Sequence, residues 1–222
     1  GSKTKKVSAD FPCYMIKEIE ENHKNCEVIY LNGAIGGMIS AKEIKKVYRH
    51  EIDCEEYTKE FGKALGELVL SLNDEEEIEP IINIKSKQIN VPAENFVLIL
   101  ARLLKVLNND FIKSKTNAYV ISETGYLVLG KNQVAMFLIP GELFPELYNG
   151  EFLNTENSAN SCEADYTPLT KMTDIKNNFV VGLCNDELGY IIPKNDFYLN
   201  KETPYINGAT DHLERRHYEE TN

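Results

Sequence analysis

The chain carries no CxxC pair, no HxH or HExxH spacing, no GxSxG elbow and neither a GxGxxG nor a P-loop. Each absence removes a class. Five cysteines (Cys13, Cys26, Cys54, Cys162, Cys184) are scattered, and the odd count leaves at least one unpaired. That excludes a zinc finger and gives no disulfide scaffold. His23, His50, His212 and His217 form no recognised zinc spacing, and each reads first as a surface histidine. Without GxSxG there is no nucleophile elbow, and without Lys-Ser/Thr after a glycine loop there is no P-loop. Cations are also scarce. Lys+Arg is 24 against 35 for Asp+Glu, a net charge of -11. Such a balance argues against a phosphate-tracking surface, and so against nucleic acid as a partner. No apolar run approaches the roughly 20 residues of a membrane helix. A signal peptide is lacking too, but the opening Gly1-Ser2 reads as a cloning scar, which leaves the compartment open.

What is present is ordinary for a soluble globular chain of 222 residues: 42% hydrophobic and 27% charged. "ADFPCYMIKEIEENH" predicts a helix from Asp10 to His23 with Asp10 as N-cap. "CEVIYLNGAIGG" predicts a short β run ending in a glycine loop. A helix follows from Glu55 to Leu72, with Tyr57, Phe61, Leu65, Leu68 and Leu72 as its apolar stripe. "PIINIKSKQINV" alternates as a strand, and "PAENFVLILARLLKVLNNDF" predicts a largely buried helix starting at Pro92. From Asn117 to Ile139 the pattern is β: "AYVIS", "GYLVLG" and "QVAMFLI", with a hairpin turn at Gly130–Asn132. A helical turn is expected from Glu142 to Leu147, a long polar loop over 149–176, a strand over Phe179–Cys184, and an irregular tail over 196–222. These elements predict one domain of α/β class (or mixed α+β), a mixed β-sheet with helices packed on it.

Three apolar segments stop at unusual loops. "EVIYLN" stops at Gly33-Ala-Ile-Gly-Gly37, "VAMFLI" at Pro140-Gly141-Glu142, and "FVVGLC" at Asn185-Asp186-Glu187. Ligand sites in open α/β sheets gather beyond the carboxyl ends of strands. If the three are parallel neighbours, these loops converge on one rim. The glycine loop, with Gly33 and Gly36, could let a substrate approach the backbone and offer amides to an oxyanion. Its plainer reading is a tight turn. Glu142 is either a first-turn glutamate favoured by a helix dipole or a metal ligand or general base. Asn185 is either a capping residue or part of the site.

"LNGAIGG", "IPGELFPEL" and "GLCNDELGYIIPKNDF…HYEETN", in this order and spacing, resemble the neutral/alkaline non-lysosomal ceramidases and their bacterial relatives. The resemblance spans Phe11 to Asn222. It implies a zinc amidase that cleaves the N-acyl amide of ceramide, with zinc as Lewis acid and activator of a bound water. It implies Glu142, in Pro-Gly-Glu, and Tyr218, in Tyr-Glu, as zinc ligands, with Gly33, Gly36 and Asn185 lining the substrate site. Two departures stand out. The family's two zinc histidines lie upstream of the glycine loop, where this chain has only His23, so the chain looks like the second half of the catalytic domain. The family's loop reads Gly-Asp-Val-Ser-Pro-Asn, and here Ala34 and Gly36 replace the aspartate and the serine. A serine nucleophile is therefore not available at this loop.

The expectation is thus a ceramidase-like zinc amide hydrolase acting on an N-acyl lipid or related amide, incomplete as an isolated chain. The missing N-terminal half would be its partner. The second expectation is a catalytically inactive binding or assembly domain derived from the family, and a third is another hydrolase on the same scaffold. The resemblance implies a secreted or surface-exposed protein, which the acidic balance fits without showing. The family also continues past Tyr-Glu, so the last residues are expected to be poorly tied down.

Overall fold

A computed structural model describes residues 7–38, 54–72, 75–107, 111–113, 118–151 and 165–197. Contacts divide the chain into two compact units, each described by itself. The first is Gly1–Leu31 with Ser40–Glu77; the second is Asn32–Ile39 with Ile78–Asn222.

The first unit is a helix pair, α1 (Asp10–Asn22) on α2 (Cys54–Leu70). Asp10 is not the N-cap expected of it: Ala9 holds that position with no side-chain cap bond, and Asp10 Oδ1 accepts only the adjacent Phe11 amide at 2.9 Å, short of the second or third amide that a cap reaches. The contact with α1 is made differently from the leucine stripe expected of α2. Leu68 and Leu72 are exposed, while Phe61 and Ala64 are buried. The seam runs instead through Gly62 and Gly66. A Cβ at Gly62 would lie 2.5 Å from the Phe11 carbonyl oxygen, and one at Gly66 would lie 2.6 Å from Glu18 Cβ. Two glycines four residues apart let the helices close on each other's backbone, so the buried arc rotates away from Leu68 and Leu72. Phe11 stacks edge-on against both Tyr30 and Phe61, closing one end of the pair.

The second unit is built on a five-stranded sheet: β1 (Ile82–Pro92), β2 (Phe111–Lys113), β3 (Ala118–Leu129), β4 (Val134–Leu138) and β6 (Asn177–Val181). The order is β1-β3-β4-β6, with β2 also paired to β3. Every pairing is antiparallel except β4 with β6, which is parallel. Helices and a mixed sheet are thus both present, as the sequence predicts. β3 runs unbroken where the sequence suggested two strands, because Glu123 and Thr124 sit within it rather than in a turn. The β3–β4 hairpin turns at the expected place, with Gly130 and Asn132 both in the left-handed region (φ +63° and +62°) that such turns require.

The helix expected from Pro92 onward is shorter. Pro92 still belongs to β1, and α3 spans only Phe96–Leu103. Asn95 starts it by accepting the Val97 amide at 2.9 Å, and Lys105, at φ +59°, turns the chain out of the helix. Nor is it buried: Phe96, Val97, Leu100 and Leu103 are exposed.

β4 is buried on both faces, since Ala135 and Phe137 on one side and Val134 and Leu138 on the other are all covered. Phe137 and Val180, register partners on β4 and β6, meet Leu143, with Leu147 and Tyr148 of α4 (Pro145–Asn149) packed against them. The stretch 149–176 was expected to be loop. Within it Gly150 ends α4 at φ +83°, a short 3₁₀ turn forms at Leu169–Lys171, and residues 152–164 lie outside the described residues. Of the tail, residues 198–222 also lie outside them.

Candidate functional site

The three loops singled out in the sequence do come together, by main-chain hydrogen bonds. Beyond the carboxyl ends of β4 and β6, Ile139 N–H donates to Val181 O, Leu183 N–H to Gly141 O and Cys184 N–H to Ile139 O, at 2.9–3.1 Å. The first segment joins them: Gly182 N–H donates to Asn32 O at 3.0 Å, and Gly36 N–H donates to Leu143 O at 2.9 Å. Only β4 and β6 are the parallel strands the expectation needed. The stretch before Gly33 forms no strand, and Ile29 and Leu31 are exposed. Glycine at the join, rather than a third strand, brings this segment in.

The glycines explain how backbone can meet backbone. A Cβ at Gly36 would lie 2.5–2.7 Å from the Phe144 ring, Glu142 O and Leu143 C. One at Gly182 would lie 2.5 Å from Gly33 O, and one at Gly141 2.7 Å from Gly189 O. No real side chain tolerates such distances. Gly33 differs, since the nearest atom to its Cβ position is 3.9 Å away. Gly36 therefore serves as a point of close approach. Its amide is engaged with Leu143 O, so the oxyanion donor considered for it is already in use. Ala34 packs against the core of Phe137, Leu143 and Val180.

Glu142 is not a first-turn helix residue. It opens β5 (Glu142–Leu143), which pairs in parallel with β7 (Tyr190–Ile191), and α4 begins only at Pro145. Pro145 at the first turn explains the delay: it sets the helix start and holds Phe144 extended. Glu142 N–H donates to Gly189 O at 3.0 Å, and Leu143 beside it fills the core. Strand alternation then turns the half-buried Glu142 side chain away from that core.

Asn185 is not a helix cap either. It sits at φ +71° in an exposed turn, two residues after Leu183 at φ +54°. A leucine in the left-handed region is strained, and such strain persists only where surrounding bonds impose it. Here the Leu183 amide is fixed by Gly141 O and the Cys184 amide by Ile139 O. Asn185 Nδ2 donates to Glu123 Oε1 at 3.2 Å, tying the turn to β3. Glu123 is thus a rim carboxylate that the sequence reading missed. Its signal was a charged residue inside an apolar strand, which read as a gap between two strands.

Among the described residues no three His, Cys, Asp or Glu side chains group as metal ligands. Tyr218, His50, His212 and His217 lie outside them, and His23 is a surface residue with Nε2 3.9 Å from Glu75 Oε1. Glu142 alone does not make a zinc site, since catalytic zinc takes three protein ligands. Cys13, Cys26 and Cys184 are free thiols. No helix among the described residues is long and apolar enough to cross a membrane. No protein-family model matches the chain, and no curated protein matches it at a significant level.

Proposed function

We propose that the chain is the second half of a ceramidase-like amide hydrolase domain, with its rim formed by residues 33–37, 140–142 and 183–187. The observation that supports this reading is the meeting of three segments, far apart in sequence, that together carry the resemblance. Glu142 and Tyr218 are its proposed contributions to a zinc centre, and the remaining ligands would come from the upstream half of the domain. Gly33 and Asn185 flank the proposed substrate position, an N-acyl lipid or related amide. No step is assigned through zinc, because Glu142 is the only one of the proposed ligands within the described residues.

A second reading, a binding or assembly domain without catalysis, has its own support. The Gly36 amide is engaged, and Ala34 is packed into the core where the family carries an aspartate. Zinc content after zinc loading, for the chain co-expressed with the upstream half of the domain, as wild type and as Glu142→Gln, separates the two. Under the hydrolase reading wild type retains zinc, and Glu142→Gln retains at least about tenfold less. Negligible zinc in both, with no release of fatty acid from an N-acyl amine, removes the enzyme reading for this chain. It leaves the binding module.

A further inference from the structure

Asn185 answers two demands at once. Its backbone lies at φ +71°, in the left-handed region that glycine, asparagine and aspartate enter most readily. Its side chain must also donate, because Glu123 Oε1 accepts from its Nδ2 at 3.2 Å. A carboxylate has no proton to give, so only the nitrogen end of the amide can face it. Glycine would suit the backbone but bring no donor, and aspartate would set a second carboxylate against Glu123. The turn's own carboxylates face its main chain. Asp186 Oδ1 accepts the Glu187 amide at 2.9 Å, and Glu187 Oε1 accepts the Gly189 amide at 2.8 Å. Glu123, held on β3 outside the turn, is thus the group that decides which way round the Asn185 amide sits.

An amide held by its nitrogen presents its oxygen. Asn185 is exposed, and its Oδ1 has the Cys184 thiol at 3.8 Å, a weak donor that a stronger one displaces. The geometry points to Glu123 as a positioning residue, and to Asn185 Oδ1 as an acceptor that selects a ligand bringing an N–H to this point of the rim. The inference rests on the reading above, in which Asn185 flanks the substrate. It narrows the substrate class to secondary N-acyl amides, whose N–H donates to Oδ1. An ester or an N-alkylated amide of the same shape has no proton to place there and leaves the acceptor unpaired. Glu123 touches no substrate in this arrangement and acts only through Asn185.

Two measurements test this. In the full chain, proton–nitrogen NMR of the Asn185 side chain should show two distinct amide protons, one of them shifted by its carboxylate partner. In Glu123→Ala both should move to the positions of a solvated asparagine; unchanged signals overturn the positioning role. Next, the chain co-expressed with the upstream half of the domain is titrated with N-hexanoyl butylamine, its N-methyl derivative and butyl hexanoate. Wild type should bind the first at least about fivefold more tightly than the other two, the factor that one hydrogen bond supplies. Glu123→Lys puts a donor where the acceptor was, draws Oδ1 toward itself and turns Nδ2 outward, so the preference should vanish. A merely structural Glu123 would instead weaken all three probes together. Glu123→Gln with Asn185→Asp exchanges donor and acceptor, keeps an oxygen outward and should restore the preference. Glu123 is exposed, so these changes leave the core intact, which circular dichroism checks. Equal binding of the three probes by wild type overturns the acceptor role and leaves the rim reading standing. Binding of none removes the rim reading, and the acceptor role with it.

Discussion

Gly33 and Gly36 are three residues apart in one loop, yet adding a methyl group at each should have opposite outcomes. Gly36→Ala places a carbon against two backbone atoms and a buried ring. It should cost about 1–3 kcal/mol, as overpacking does. Gly33→Ala meets only ordinary contact and should stay within about 0.5 kcal/mol of wild type. Urea unfolding of the two variants checks this, and equal effects would remove the close-approach account of Gly36. Tyr148 offers a pH-dependent test. Burial raises its phenol pKa above the ordinary 10.0, and its hydroxyl donates to the Asn178 carbonyl at 2.6 Å. A raised pKa means that the fold holds the protonated phenol. The stabilisation is therefore complete below the unfolded value and lost as pH rises through the folded one. Tyr148→Phe should cost about 0.5–1.5 kcal/mol at neutral pH. The gap between variant and wild type should narrow above about pH 10, as measured by unfolding midpoints across that range.

At the scale of elements, the α1–α2 seam makes the sharpest contrast between propensity and packing. Gly→Ala inside a helix normally gains about 1 kcal/mol. Gly62→Ala should instead destabilise, because its new carbon would press on the Phe11 carbonyl. Lys63→Ala, on the exposed side of the same turn, should stay near neutral. Thermal melts of the two decide it. The same contrast shows how much of the structure could be read in advance. α1, α2, β1, β4 and the Gly130–Asn132 turn follow from apolar periodicity, alternation and turn residues, and they lie close to where the sequence puts them. The outward face of α3 and the glycine seam of α2 do not follow, because periodicity identifies a stripe but not what covers it. At the rim, Pro-Gly-Glu was legible as a strand exit, whereas β6 ends at Val181 and not at the expected Cys184, because Leu183 turns into the left-handed region. Glu123 was not legible, since its role depends on a bond to Asn185 across 62 residues. Glu142 moved from helix start to strand because the parallel pairing with Tyr190 is a tertiary fact.

For the molecule as a whole, the chain path is interleaved. The first unit is interrupted by Asn32–Ile39, which belongs to the second. A chain of residues 78–222 alone would lack this segment, leaving the Gly182 amide and the Leu143 carbonyl without their partners and the core without Ala34. It should be less stable than the second unit of the intact chain by about 2–4 kcal/mol. Adding a peptide of residues 27–38 should recover part of the loss, read as a rise in melting temperature; no rise would show that the segment is dispensable. In the intact chain, hydrogen exchange at the amides of Gly36, Gly182, Leu183 and Cys184 should be as slow as in β4, although all four lie outside its strands. The bond between Asn32 and Gly182 has one more consequence, for the order of events during synthesis. About 150 residues separate its two ends, so the Asn32 carbonyl emerges from the ribosome long before its donor, the Gly182 amide, exists. At about 5–20 residues per second it waits on the order of ten seconds. The rim is therefore among the last parts of this chain that translation allows to close.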